Sequence, residues 1–378
     1  DILNVPFIRS VYQIYKLNKN SLFSFKLQDQ IGAHQYDSLF IVHRSTGQIF
    51  KYDLEPPADF ICNINTGDHI SYAYFETTDH GHFLCIQRMN LYPHPIKTHL
   101  IRMNVIVPSH VQLYDLDDRH MMVFVAEEGA KPTFPTITLI DVESGRIDPV
   151  PDPVGTDSLS RLQDAWLFDD GRAFIVKTGR IQWWEKQKFW EVHDVEYTDQ
   201  IETLAFCPID ELIRCVRDGR PAIPWTVLAQ SDRTSALYAV GEDGTCFAFA
   251  IQHFPWNRLQ TFQFHPTQAA AAVFVGEAEG IFKEVLYCDG MWFGSRRALG
   301  RQERMELVDL AARRTVLQVS DWGFVAADRR HALSYKRVPG SKRGFQVTLY
   351  DWVDNKKIQT WKNRYFHYDL KSNTFLLF

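Results

Sequence analysis

One short phrase recurs along this chain and limits its fold more than any other feature. An apolar run ends in an aspartate, a polar turn follows, and a second apolar run begins. The fullest copy runs from Phe345 to Asp351 and Trp352, turns through Val353–Lys357, and resumes at Ile358–Trp361. Glu306–Leu310 leads in the same way to Thr315–Val319, and Ile137–Val142 to Ile147; Ile49–Leu54 is a looser copy. The aspartates Asp53, Asp141, Asp309 and Asp351 are separated by 88, 168 and 42 residues, close to two, four and one units of a single length. A period of roughly 40–45 residues with four short strands per unit marks the blades of a β-propeller. One such sheet cannot bury both its faces, whereas sheets stacked face to face can.

A second phrase agrees with the first. Thr203–Pro208 precedes Leu212–Val216, and Thr261–Pro266 precedes Ala269–Val275. Val111–Leu116 precedes Met121–Val125, and Phe366–Leu370 precedes Thr374–Phe378. Each reads as strand, tight turn, strand. With its Phe-x-Pro turn at Phe206–Pro208 and its apolar-Asp-apolar third strands, the chain resembles WD-repeat propellers over most of its length. It departs from that pattern in lacking a regular Gly-His pair and in reversing Trp-Asp to Asp351-Trp352. The expectation is an all-β fold: a single β-propeller domain over residues 1–378, of four-stranded blades. Seven blades are expected, with eight as the alternative. The hairpin Val11–Leu17/Ser21–Leu27 is expected to join the C-terminal strands and close the ring, which removes exposed sheet edges. Residues 276–304 read as an irregular insertion, Gln302–Arg314 as strand–turn–strand, and Leu212–Val216 as a strand.

An aromatic content of 14% favours sheet and supplies a core. No apolar run reaches the ~18 residues that would cross a membrane. The six cysteines lie mostly in apolar strand runs, none in a CxxC pair, and read as buried thiols. With no Asn-x-Ser/Thr site present, they point to a cytoplasmic protein. The net charge of −5 is unevenly spread, since Gly290–Phe378 carries +9 and the remainder −14. Chains polarised in this way present faces of opposite sign.

Three groups of residues are candidates for function. Asp79-His80-Gly81-His82, with Asp68-His69 nearby, spaces two imidazoles for a metal but supplies no third ligand, so a solvated turn is the expectation. Trp166, Trp183, Trp184 and Trp190 offer stacking surfaces and are expected to pack between blades. The third group is basic: Arg296, Arg297, Arg301 and Arg304, with Lys336, Arg337, Lys342 and Arg343. Both halves of that set precede a third-strand phrase. Equivalent blades would bring them out on the same face, ready for an acidic protein surface or, less favoured, a nucleic-acid backbone. No nucleophile elbow, phosphate-binding glycine loop, HExxH or paired Cys/His spacing occurs. The expectation is therefore a non-catalytic interaction scaffold with a protein partner, needing no cofactor or metal. The alternative is a propeller enzyme (glycosidase, lyase or metal-dependent hydrolase) with its site in the central channel.

Overall fold

The computed structural model describes all residues except 1, 5–10, 17–21, 29–35, 44–48, 63–68, 91–95, 106–107, 128–135, 152–159, 169–172, 185–195, 233, 243–245, 266–271, 289, 299–303, 339–344, 365, 370–373 and 378. The strands, in chain order, begin with β1 (Ile2–Asn4), β2 (Val11–Lys16), β3 (Leu22–Gln28), β4 (Tyr36–His43), β5 (Ile49–Ala58), β6 (Phe60–Ile61), β7 (His69–Thr78), β8 (Gly81–Asn90) and β9 (Ile96–Asn104). There follow β10 (Pro108–Asp115), β11 (His120–Glu127), β12 (Thr136–Asp141), β13 (Arg146–Pro149), β14 (Ser160–Phe168), β15 (Ala173–Trp184) and β16 (Glu196–Pro208). Helix α1 (Ile209–Arg217) comes next, then β17 (Thr226–Gln230), β18 (Ser235–Glu242), β19 (Phe247–His253), β20 (Arg258–Phe264) and β21 (Val273–Glu279). The last strands are β22 (Glu284–Cys288), β23 (Met291–Arg297), β24 (Met305–Asp309), β25 (Arg314–Val319), β26 (Gly323–Ala327), β27 (His331–Arg337), β28 (Phe345–Asp351), β29 (Lys356–Arg364), β30 (Phe366–Asp369) and β31 (Thr374–Leu377).

The chain is all-β apart from α1. Six sheets each hold four consecutive antiparallel strands: β2–β5, β6–β9, β10–β13, β18–β21, β22–β25 and β26–β29. β14–β17 follow the same strand order, and β1, β31 and β30 form a three-stranded sheet. Sheets of this kind fit a propeller. The chain divides into two compact units. One comprises Asp1–Phe7, Lys177–Ala205 and Val227–Phe378, the other Ile8–Val176 and Phe206–Thr226.

Within each unit the side-chain alternation of strands places apolar residues on both faces of a sheet. In β22–β25, Val285, Tyr287, Trp292 and Val308 pack with Cys246, Ala248 and Leu259 of β18–β21. Their sequence neighbours Phe293 and Leu307, with Leu317, pack on the other side with Phe324, Ala327 and Ala332 of β26–β29. In the other unit, Leu84, Ile86 and Ile101 meet Leu113, Met121 and Val123 across the facing sheets. All six cysteines are buried thiols, and burial pushes Cys207 up to about 12.

The recurrent aspartates sort into two kinds. Asp141, Asp309 and Asp351 end the third strands β12, β24 and β28. Each uses one carboxylate oxygen to accept backbone N–H groups of its own turn: from Ser144 at 3.2 Å, from Ala311 and Ala312 at 3.1 and 3.0 Å, and from Val353 and Asp354 at 3.1 Å. Four residues after each aspartate the backbone takes positive φ, at Gly145 (71°), Arg313 (53°) and Asn355 (51°), which turns the chain back into the fourth strand. Asp53 differs, because it lies within β5, a fourth strand, opposite Ser38. The 88-residue spacing therefore compared unlike positions.

A repeat missed in the sequence reinforces two of these turns. Asp117-Asp118-Arg119-His120 and Asp328-Arg329-Arg330-His331 join the first and second strands of their sheets. In each the aspartate accepts from two backbone N–H groups, of Arg119 and His120 (2.7 and 2.6 Å) or of Arg330 and His331 (2.8 and 2.6 Å). The arginine Nε then donates to the third-strand aspartate, Arg119 to Asp141 at 2.9 Å and Arg330 to Asp351 at 2.7 Å. The Val142 and Trp352 N–H groups return bonds to the Arg119 and Arg330 carbonyls at 2.8 and 2.9 Å. Each clip thus ties the first turn of a sheet to the end of its third strand.

Three sequence expectations are corrected. The stretch after Phe206-Cys207-Pro208 is a helix, not a strand. Ile209, Leu212, Ile213 and Val216 recur at helical spacing and are all buried. Asp210 and Glu211 sit in its first turn, Arg214 and Arg217 in its last, each complementing the helix dipole. Gly219 ends it at φ 63°, donating to the Val216 carbonyl. Residues 276–304 are no insertion, since they carry the end of β21 and the whole of β22 and β23. The hairpin of β2 and β3 belongs to the sheet β2–β5; β1 is the strand that pairs with β31, in parallel. Gln302–Arg314 contributes the strand β24 and its turn, as expected.

Hydrogen bonding by the Arg119 guanidinium holds the Asp141 carboxyl far below the usual carboxylate range. A carboxyl depressed in the folded state contributes its full stabilisation above its unfolded value, and loses it as pH falls through the folded one. Asp141→Asn is expected to cost about 2 kcal/mol at pH 7, roughly 4 °C in thermal midpoint. The gap to the parent should hold down to about pH 4 and narrow below it. Thermal melts across pH 7 to 2.5 check this; a gap that stays constant at the acid end would refute the ionic origin.

Candidate functional site

Two networks, one buried and one partly exposed, contain residue types of hydrolytic enzymes. In the first, His69 Nε2 lies 3.2 Å from Asp115, Ser71 Oγ donates to Asp115 at 3.4 Å, and Arg88 Nη2 donates to the same carboxylate at 3.0 Å. Arg88 also donates to the Asp118 carbonyl. A nucleophilic relay needs the imidazole between serine and carboxylate. Here serine and histidine both approach the carboxylate, and all four side chains are buried. The network locks β7 and β8 to the end of β10.

In the second, His120 Nδ1–H donates to Asp117 at 2.8–2.9 Å, and Arg217 Nη2–H donates to His120 Nε2 at 2.8 Å and to Asp141 at 2.7 Å. A guanidinium has no acceptor, so His120 Nε2 is the acceptor of that bond. The position a substrate proton would need is filled by Arg217. Burial raises the Asp117 carboxyl, but the His120 imidazole and the Arg119 and His120 N–H groups outweigh it, and its pKa is lowered. Both networks are structural.

Among the described residues, a concave site lined by several cationic side chains lies beside β22–β25 and the turn into β26. A cleft of about 330 Å³ is lined by Lys283, Arg297, Arg304, Met305, Ser320, Asp321 and Trp322. The residue after Lys283 is Glu284, the first of β22, which ties the two sheets together beside the cleft. That carboxylate accepts from Ser295 Oγ at 2.8 Å, from the Phe324 N–H at 3.0 Å and from the Tyr335 hydroxyl at 3.0 Å. Burial, then the Glu284 charge, push the Tyr335 phenol up to about 12. Gly323 allows this approach, because a Cβ there would sit 2.6 and 2.7 Å from the two Glu284 oxygens. Lys283 Nζ donates to the Trp322 carbonyl at 2.9 Å, which fixes one wall against the other. Ser334 and Lys336, two apart on β27 and so on one face of it, hold Asp321. The Ser334 hydroxyl donates to it, and Lys336 Nζ is 3.2 Å away.

The expected basic set is partly gathered here. Arg297 and Arg304 line the cleft together, and Lys336 reaches it through Asp321. Arg296 faces the other way, pairing with Glu306 at 3.0 Å and lying 5.9 Å from the Phe282 ring centre. Arg337 is exposed at the end of β27. Arg301, Lys342 and Arg343 lie outside the described residues, as do Asp68 and Trp190. Lys283, Asp321 and Trp322 were missed. The signal for them was Ser320-Asp321-Trp322-Gly323, an aromatic in a polar turn directly after a strand. The histidine turn is local: His82 Nδ1 lies 3.0 Å from Thr77 Oγ1, while His69 is engaged by Asp115. Trp166 is half-buried on β14, and Trp183 and Trp184 lie on β15. Among the described residues no group of three or more His, Cys, Asp or Glu is placed to hold a metal, and no helix is long and apolar enough to cross a membrane.

No family model and no curated protein matches the chain. Solved structures do. The chain is similar to a prolyl endopeptidase structure (TM-score 0.54, 11% identity, 97% of this chain and 53% of that one). It is also similar to dipeptidyl peptidase 4 of Porphyromonas gingivalis (TM-score 0.50, 10% identity, 91% and 52%). A third is the β-propeller domain of the trilobed protease from Pyrococcus furiosus (TM-score 0.45, 11% identity, 93% and 97%). At these identities the likeness is one of fold. The chain spans about half the length of the first two structures. The expectation of a non-catalytic scaffold, with its glycosidase, lyase and metal-hydrolase alternatives, is corrected by the first two matches, which are to peptidases. The WD resemblance is likewise limited to strand architecture.

Gly323→Ala is expected to destabilise the protein by about 2 kcal/mol, because the new methyl drives Glu284 off the Phe324 N–H. Urea unfolding measures it. An unchanged midpoint would mean that Glu284 does not brace the cleft.

Proposed function

We propose that this chain is the propeller portion of a peptidase, and that its role there is to select or position peptide substrates. The observation that carries the reading is the fold likeness to a prolyl endopeptidase over 97% of this chain but 53% of the other. In prolyl endopeptidases inter-domain dynamics has a role in catalysis and specificity, a role to which a non-hydrolytic portion contributes. The Ser71/His69/Asp115 and His120/Asp117 networks, whose polar groups are already engaged, fit hydrolysis taking place elsewhere in the assembled protein. On this reading the four-stranded sheets are blades; the β14–β17 order brings their number to seven. The parallel pairing of β1 with β31 supports closure by strands from both ends.

The test is capture through this chain from the cells that make it, followed by assay against fluorogenic peptide amides, post-proline substrates included. Captured material should cleave at least one substrate at no less than about a hundred times the rate of a chain-depleted control, a small part of the acceleration enzymes give. Cleavage equal to the control across the panel would sink the reading.

A further inference from the structure

We infer that the cleft of Lys283, Arg297, Arg304 and Trp322 binds the free carboxylate end of a peptide. The choice of a peptide as the carboxylate's bearer rests on the peptidase reading; the choice of a carboxylate rests on the cleft itself.

Three cationic side chains line the cleft against one carboxylate, Asp321. Asp321 is buried and already held by Lys336 at 3.2 Å and by the Ser334 hydroxyl. Those two bonds tie it to β27. Glu284 is also committed, to Ser295, Phe324 and Tyr335, although Lys283 Nζ lies 3.7 Å from it. Arg297 is exposed, and its side chain makes no ion pair or hydrogen bond among the described residues. Its neighbour in sequence, Arg296, is paired with Glu306, so the strand separates one structural arginine from one that is uncommitted.

A guanidinium offers a planar fork that matches a carboxylate through two parallel N–H···O bonds. Trp322 stands in the same cleft, 52% exposed although its backbone is fixed at both ends, by Lys283 on its carbonyl and the Tyr335 carbonyl on its N–H. An indole held open to solvent beside an uncommitted guanidinium suits an anion attached to an apolar body. A volume of about 330 Å³ stands at the small end of ligand pockets, which run from about 300 to 1,000 Å³. It admits a terminal residue or two, and neither a folded surface nor a nucleic-acid duplex.

The experiment is calorimetric titration of the purified full chain with a short peptide ending in phenylalanine, as the free acid and as the C-terminal amide. The free acid is expected to bind about tenfold tighter, the effect of one charge-assisted pair. Arg297→Ala should erase that preference. Trp322→Ala should weaken acid and amide alike by about three- to tenfold. Both positions are exposed, and unchanged melting curves confirm that the variants fold. Equal binding of acid and amide, no binding at millimolar peptide, or a preference that survives Arg297→Ala would overturn the inference. So would displacement of the peptide by inorganic phosphate at equal concentration, which would assign the cleft to phosphate. An intact acid preference in a protein whose captured form cleaves nothing would remove the peptidase reading and leave the carboxylate site standing. Cleavage without the preference would remove the site alone.

Discussion

The carboxylate at the end of a third strand is the interaction on which three of the sheets depend. A strand that stops leaves backbone N–H groups without partners, and buried ones are expensive to abandon. Asp141, Asp309 and Asp351 cap those groups with one oxygen each. In two of the sheets the other oxygen takes an arginine from the preceding turn. The pairing is mixed in exposure, since the aspartates are buried and the arginines reach solvent. That arrangement avoids the full desolvation cost of a wholly buried ion pair. It also fixes register, because a slip of one residue would carry the aspartate to the opposite face.

The cleft uses the same materials for another end. Glu284 is spent on holding Ser295, Tyr335 and the backbone at Phe324 in place. Gly323 is where the neighbouring sheet comes close enough for this to happen. With the acidic groups consumed in bracing, the positive charge of Arg297 is left at the rim. The cleft's electrostatic character thus follows from how its framework is built.

Much of the architecture was legible in the sequence, for a definite reason. Strand ends need turn chemistry, and turn chemistry is local, so Asp351 and Asn355 announce themselves within five residues. The Asp-x-Arg-His clip was equally local and was missed because its partner lies twenty or more residues away, at Asp141 or Asp351. Helix α1 was misread because five residues, Leu212–Val216, suit either period; Ile209 and the flanking charges decide for the helix. The basic set was half legible. Sequence counts charges but not the side of a strand they occupy, so Arg296 and Arg297 looked equivalent. Lys283 and Trp322, 39 residues apart in the chain, meet only because two sheets are stacked.

The pairing of β1 with β31 sets it apart from every other described strand pair, each of which joins neighbours in the chain. Ile2 faces Phe375, and Asn4 faces Leu377. In an unstructured chain, bringing those residues together costs about 4 kcal/mol more than closing a five-residue turn. This contact therefore cannot lead assembly and must follow the sheets between. Where β1 is not in place, β31 keeps an open edge, and an open edge invites pairing with another chain. Three residues at one end thus decide whether that edge is satisfied within the chain or offered to a neighbour.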